Sequence, residues 1–481
     1  MEELRQEVER LRQENQILRE QLAEALKKIE QLTALLTQNS QNSNWSSSKT
    51  KITTKKKPSK NTSQREKSNR KAGGQKGHKG ATLKFSNTPD EVITHRPSSC
   101  AKCNHIFGEI LEPSRINKRQ VHDIPPIKIV VQEHQAETYC CPNCTHETSG
   151  IFPEHVSQPV QYGSRVKQLA LYLRIEQFVP YKRSQQFFQD LFNLSISTGS
   201  LQNFMRKGEA NVKPAIEKIW EGITNSDVGH ADETGFEVEK LRYWLHTLST
   251  QNFTYYGVHK SRGYKAMVEI GLLPKFKGKL GHDYWQSYYK FEDVIHFLCN
   301  AHHLRDLQAV YEKDKARFKW ARRMKRFLRH AWHKVKIAKE EEGRDAFSPE
   351  ELAKLITIYD GFVAEGLAMT PLPPPKKKGK RGRVAKGKAR NLVERFRDRK
   401  AEILLFIHDF NVPFDNNLAE RDIRMMKVQQ KISGCFRSKA GAEMFCNLRS
   451  YTSTLRKQGI SIWDGIGSLF DGDLILPWMP V

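Results

Sequence analysis

No apolar run of the roughly 18 residues that a membrane-spanning helix needs occurs in the 481-residue chain. That excludes a transmembrane helix. The N-terminus is acidic and heptad-like, without the basic and then apolar layout of a secretory signal. Cysteine is scarce: eight residues, too sparse for a disulfide scaffold. Acids are short as well, 54 Asp and Glu against 80 Lys and Arg, a net charge of +26. That excess favours a polyanionic partner, nucleic acid before anionic membrane. What the chain does have is core material. Hydrophobic residues are 38% and aromatics 10%, which excludes a wholly disordered chain. The length allows about two to four domains.

Residues 1–38 read as a coiled coil. Leu4, Leu11, Leu18, Ala25 and Leu32 share one seam position, and Met1, Val8, Asn15, Leu22, Ile29 and Leu36 the other. Leu at one position, β-branched residues at the other and a lone polar Asn15 suit a parallel two-stranded coil, hence a homodimer or higher oligomer. A single amphipathic helix packed on its own protein is the plainer alternative. Residues 39–89 read as a basic linker. From Lys49 to Gly80 there are twelve Lys and Arg and one acid, Glu66, a composition that buries no core. It ends in Gly73-Gly74-Gln75-Lys76-Gly77-His78-Lys79-Gly80. There, glycines permit close approach to a phosphate chain while Lys71, Lys76 and Lys79 supply charge. No Walker spacing is present.

Residues 90–155 hold Cys100-Ala101-Lys102-Cys103 and Cys141-Pro142-Asn143-Cys144, amid β-prone runs such as Lys128-Ile129-Val130-Val131. Four thiolates at Cys100, Cys103, Cys141 and Cys144 satisfy a tetrahedral structural Zn²⁺. Cys140 stands open as a substitute for Cys141. Paired CxxC spacing without a disulfide framework points to a metal site in a reducing compartment, so the expected location is cytoplasmic. Residues 156–225 read as helical. A helix over Ser184–Phe192, a turn at Asn193–Ser195 and a helix from Ser197 through Asn211 have the layout of a helix-turn-helix. Ser200, Gln202, Asn203 and Arg206 fall near its exposed N-terminal face. Helical pairs of this kind also occur in proteins that bind no DNA.

Residues 226–312 turn to strands at Asp227–Glu239, Arg242–Ser249 and Phe253–His259. A helix at about Tyr264–Leu273, a strand ending at Asp283 and a buried strand at Val294–Cys299 follow. The order predicts a mixed sheet with helices packed on it, the first strand beside the fourth. Residues 313–400 read as a basic helical insertion, with thirteen Lys and Arg and two acids between Lys376 and Lys400. Residues 401–450 return to the sheet, with helices at about Asn391–Asp409 and Asn416–Lys431, and residues 451–481 form a tail.

Three acids stand out by location: Asp232 on the first strand, Asp283 ending the fourth, Glu420 on a late helix. Three carboxylates at one point persist only with cations, and hard oxygen ligands suit Mg²⁺ or Mn²⁺. Two such ions activate an attacking hydroxyl and stabilise a departing oxygen on phosphorus. Plainer readings exist for each acid. Asp232 could cap a turn, Asp283 could end a strand at the surface, and Glu420 could pair with Arg424 four residues on.

His230-Ala231-Asp232-Glu233-Thr234, Cys299-Asn300-Ala301-His302 and Asn416-Asn417-Leu418-Ala419-Glu420-Arg421 follow the leucine-rich coil, Gly73–His78 and the two knuckles in that order. Over nearly its whole length the chain resembles the bacterial insertion-sequence 66 type of DDE transposases. The resemblance implies a multidomain α+β protein with an RNase H-like α/β core, a helical insertion before the final Glu, and Asp232, Asp283 and Glu420 as the triad on a pair of Mg²⁺ or Mn²⁺ ions. It makes His302 and Arg305 candidates for holding DNA phosphate, and Arg421 and Arg424 lie on the same late helix. The implied partners are terminal inverted repeats, target DNA and element-encoded accessory proteins. The implied reaction is metal-dependent strand cleavage and strand transfer. The residues by themselves leave open an inactive relative that only binds transposon ends, or a nuclease of the same fold.

Overall fold

A computed structural model describes residues 2–36, 83–108, 112–373 and 386–479. Lys71, Lys76, Lys79 and residues 374–385 of the basic loop lie outside them. The chain divides into two units, 52–132 and 1–51 with 133–481. In the first, Lys128–Val131 is coil rather than a strand, with Val130 and Val131 exposed. Branched side chains favour a strand through packing against neighbours, and these two have no apolar layer over them.

In the second unit, α1 (Glu2–Leu36) is one uninterrupted helix. Its seam residues Val8, Leu11, Leu18 and Leu22 are exposed in the single chain. Two short strands, β1 (Thr138–Cys140) and β2 (Glu147–Ser149), pair antiparallel around the second knuckle. Helices α2 (Ser164–Ile175), α3 (Tyr181–Phe192) and α4 (Thr198–Thr224) follow. Helix α3 stops where Asn193 turns left-handed (φ 49°), a conformation its short polar side chain tolerates. Ser197 caps α4 by accepting from the Ser200 amide at 2.9 Å. The helix expected to end near Asn211 continues to Thr224 through Pro214. Proline removes one backbone bond, but Val212 before it and Ala215, Ile219 and Ile223 beyond it keep one face fully buried, and that burial sustains the helix.

The alternation after residue 226 folds into a five-stranded mixed sheet. Strands β3 (Val228–Val238), β4 (Leu241–Ser249) and β5 (Thr254–His259) run antiparallel in succession. Past α5 (Tyr264–Ile270), β6 (Lys279–His282) returns parallel to β3, and β7 (Ile295–Leu298) lies parallel to β6. The spatial order is β5-β4-β3-β6-β7. Gly281 of β6 pairs with Phe297 of β7, whose ring covers it, and a Cβ at Gly281 would meet that ring at 2.4 Å.

The remaining chain is helical: α6 (Asn300–Lys313), α7 (Lys319–Glu340), α8 (Pro349–Met369), α9 (Lys388–Asp398), α10 (Lys400–His408), α11 (Asn417–Ser433), α12 (Lys439–Lys457) and α13 (Ile462–Asp471). The single helix expected over Asn391–Asp409 is two, broken at Arg399 (φ −118°, ψ 31°). Helices α2–α4 share one core with β3–β5, α11, α12 and α13. Helices α6–α10 close around Trp320, Tyr359 and Phe396. No described helix is long and apolar enough to cross a membrane.

Candidate functional site

The β3–β6 register decides where the first two acids go. His230 pairs with Gly281 in parallel. Two residues further along stand Asp232, on β3, and Asp283, directly after β6 ends at His282. Side chains two apart share a face of a strand, so the register sets Asp232, within β3, level with Asp283, just past the end of β6. After Asp283 the chain turns sharply, with Tyr284 at φ 72°, a backbone state rare for a bulky residue. The turn lets the Trp285 amide donate to Asp283 Oδ1 at 3.1 Å. Asp232 Oδ1 accepts from the Glu233 amide at 2.9 Å.

Glu420 comes from the first turn of α11, and Asn416 fixes that turn. The Asn416 side chain, 2% exposed, donates to the Ala231 carbonyl at 2.7 Å. Its Oδ1 meets His230 Nδ1 at 2.8 Å. Its own amide donates to Cys299 Sγ at 3.2 Å. One side chain thus ties the start of α11 to β3 beside Asp232. Burial drives the Asp232 carboxyl well above its ordinary pKa, and the charges of Glu233, Asp283 and Glu420 add to it. Burial also raises Asp283, against the pull of the Trp285 amide and of Arg262. Burial raises Glu420, against Arg305. The three acids therefore share one electrostatic neighbourhood.

Asn416→Ala leaves His230 and the Ala231 carbonyl buried without their partner, which costs about 1–3 kcal/mol for each unsatisfied group. The expected result is a lower denaturation midpoint in urea.

Sequence reasoning missed a second layer. Glu233 is buried and accepts from Arg262 Nε at 2.7 Å and from the Tyr288 hydroxyl. Burial first, and the charge of Asp283 next, push its carboxyl up to about 7 despite Arg262 and Tyr288. The Arg262 guanidinium lies 4.2 Å from the Trp285 ring centroid and 5.1 Å from that of Trp244. This network ties β3 beside Asp232 to the turn after Asp283. Its one sequence signal is a second acid directly after Asp232.

His302 and Arg305 lie at the start of α6, against Glu420: His302 Nδ1 is 3.5 Å and Arg305 Nη2 3.9 Å from Glu420 Oε1. Burial pushes His302 down to about 3, helped by Arg305, so its ring is neutral. His302 Nδ1, Arg305 Nε and Arg395 Nε are buried without a hydrogen-bond partner. Arg395, on α9 of the insertion, stacks 4.3 Å from the Tyr284 centroid and pairs with Asp306 at 3.0 Å; sequence reading had not singled it out. Arg424 acts on Glu420 electrostatically and Arg421 on Asp415. Gln202, Asn203 and Arg206 stand on α4, where Arg206 Nη1 donates to Asn203 Oδ1 at 3.1 Å.

Each knuckle forms its own tight loop. The Cys100 amide donates to the His105 carbonyl at 2.8 Å, and Asn104 turns left-handed at φ 58°. The Cys141 amide donates to the His146 carbonyl at 2.9 Å, and Thr145 turns at φ 58°. Amides of Lys102 and Cys103 lower the Cys100 thiol, and those of Asn143 and Cys144 lower Cys141. The Cys140 thiol donates instead to the Thr145 carbonyl at 3.4 Å.

Two family models match. Residues 1–84 match "Family of unknown function (DUF6444)". No curated protein matches the chain. Residues 159–444, more than half of the chain and the span holding the sheet, the insertion and all three acids, match "Transposase IS66 family". The chain belongs to the IS66 transposase family.

Proposed function

We propose that the protein is a DDE transposase that cleaves DNA at transposon ends and joins the freed 3′ end to target DNA, with Asp232, Asp283 and Glu420 as its catalytic carboxylates. The observation that carries this reading is the parallel β3–β6 register, which sets Asp232 beside Asp283, with Glu420 close enough for its charge to act on Asp232. The mixed sheet, with Asp232 on β3 and Asp283 directly after the neighbouring parallel strand β6, supports an RNase H-like core.

The donor set fits Mg²⁺ or Mn²⁺. Its oxygens are hard, and carboxyls pushed toward protonation by burial and by one another gain most from nearby positive charge. Asp232, Asp283 and Glu420 would hold two such ions, which when bound activate the attacking hydroxyl and stabilise the leaving oxygen. The chain itself does the positioning. Asn416 fixes the turn that carries Glu420, the Trp285 amide orients Asp283, and Arg262 with Tyr288 holds Glu233 beside them. Arg305 and, from the insertion, Arg395 offer buried N–H groups and charge to a DNA phosphate, with the neutral His302 ring beside them as a further candidate contact.

The CxxC spacing of each knuckle, Cys100 with Cys103 and Cys141 with Cys144, suits thiolate ligation of a structural Zn²⁺. The amides aimed at Cys141 rather than Cys140 favour Cys141 as ligand. Lys71, Lys76, Lys79, Arg421 and Arg424 add phosphate contacts, and Gln202, Asn203 and Arg206 are placed to read bases. Affinity for DNA then falls steeply with salt. The exposed seam of α1 supports pairing with a second copy. Deleting residues 1–38 should lower the mass in sedimentation velocity to that of a single chain, whereas an unchanged oligomer overturns the coiled-coil assignment.

The reaction is tested with terminal-repeat DNA and Mg²⁺. Wild type yields nicked and joined products, and Asp232→Asn yields neither. Equal activity of the two overturns the assignment.

A further inference from the structure

Among the described residues, one group of three His, Cys, Asp or Glu side chains brings its ligand atoms within 4.8 Å of one another: Cys299, His302 and Glu420. Cys299 Sγ lies 3.8 Å and His302 Nδ1 3.5 Å from the same oxygen, Glu420 Oε1. Both separations are poor as hydrogen bonds. The nitrogen–oxygen distance exceeds the usual range of about 2.7–3.2 Å, and His302 Nδ1 is buried with no hydrogen-bond partner. They do match the edges of a tetrahedron around a metal. Bonds of about 2.3 Å to sulfur and about 2.0–2.2 Å to nitrogen and oxygen give a sulfur–oxygen edge of about 3.6 Å and a nitrogen–oxygen edge of about 3.4 Å.

We infer that Cys299 Sγ, His302 Nδ1 and Glu420 Oε1 form a site for a divalent ion of the zinc class, with the fourth position open. Sulfur and imidazole select a borderline-soft ion over Mg²⁺, so the site differs in kind from the all-oxygen set. His302 would bind through Nδ1, the buried ring nitrogen that has no hydrogen-bond partner. Cys299 binds as thiolate and its proton leaves to solvent. Burial and the Glu420 charge hold the Cys299 thiol protonated, against the backbone amides of Asn416 and His302, so it is the ion's own charge that displaces the proton. Thiolate and carboxylate together balance the ion's two charges. Arg305, 3.9 Å from the same oxygen, opposes the ion and sets it in competition for Glu420. Because Glu420 is shared, an ion here draws on a carboxylate of the proposed catalytic set. The site itself rests only on these side chains and not on the DNA reaction.

The test is Co²⁺ titration of the full-length protein without DNA, read by thiolate-to-cobalt absorption, which is silent for ions held by oxygen alone. Replacing Cys100, Cys103, Cys141 and Cys144 together by Ser should leave absorption from a single thiolate. Cys299→Ser in the otherwise intact chain should lose that share, and His302→Gln should weaken Co²⁺ binding to it at least tenfold. Cys435→Ser, at an exposed cysteine, should match wild type. Melting curves in metal-free buffer establish that each variant is folded. Absorption abolished by the four knuckle replacements, or unchanged in both Cys299→Ser and His302→Gln, overturns the site. Neither result bears on whether the protein cuts DNA.

Discussion

Asp232→Asn should abolish strand cleavage and joining, a loss of about a thousandfold or more, equivalent to about 4 kcal/mol of transition-state stabilisation. The amide keeps the shape of the carboxylate and can still accept from the Glu233 amide. What it removes is a negative charge on which Glu233, Asp283 and Glu420 all press. A second effect of opposite sign follows. With a chelator present, the variant should melt a few degrees above wild type, because a neutral group relieves buried like-charge repulsion. Mg²⁺ should then stabilise wild type more than the variant, since only the wild type gains the full set of ion contacts. Loss of activity with gain of metal-free stability separates a lost ligand from a lost fold. Loss of both would mean that Asp232 serves the architecture instead. Wild-type activity in the variant would leave the chain a transposase-family protein whose chemistry lies elsewhere.

The placement of Asp232 and Asp283 was legible in the sequence because it follows from strand order. Three alternating segments, a crossover and a fourth strand leave few ways to build a sheet, and the order puts the first and fourth strands together. Glu420 was legible as a residue but not by its surroundings. Local spacing offers Arg424 as a helical partner, whereas the contacts formed are with Cys299, His302 and Arg305, more than a hundred positions earlier. Asn416 was hidden for the same reason. Its partners, His230 and Ala231, lie on a strand far upstream, and an Asn before a helix reads as an ordinary cap, yet its side chain caps nothing. Lys128–Val131 shows the converse: its local preference for strand is strong, but no layer covers it. The paired strands formed instead on either side of the second knuckle, where the tight turn sets their register.

Glu176→Ala should destabilise the fold by about 3–5 kcal/mol, the usual consequence of leaving a buried charge unpaired. Glu176 follows α2 with its side chain 3% exposed. Oε1 accepts from Arg449 Nη1 and from Thr452 Oγ1 at 2.6 Å, and Oε2 meets Arg456. All three partners sit on α12. The Arg449 side chain is itself only 9% exposed and stacks 5.4 Å from the Phe178 centroid, so it cannot turn to water when Glu176 is removed. Burial pushes the Glu176 carboxyl up, but Arg449, Thr452 and Arg456 together outweigh it and leave it below its ordinary value. A depressed folded-state value gives stability that is present above the unfolded value, about 4.3 for Glu, and lost as pH falls through the folded value. Urea denaturation of wild type should therefore weaken in that acid window, and Glu176→Ala should lose this part of the pH dependence. Removing both charges with Glu176→Leu and Arg449→Met should recover much of the loss, because the cost lies in the orphaned partner more than in the pair. Helix α12 also reaches the sheet: Ser450 Oγ accepts from the Tyr256 amide at 3.0 Å, and Thr454 Oγ1 from the Thr254 amide at 3.1 Å. The pair thus joins the helical region before the sheet to the edge strand β5, two strands from Asp232. If the single variant melts as wild type does, α2 and α12 are held by their apolar core alone and the buried charges are incidental.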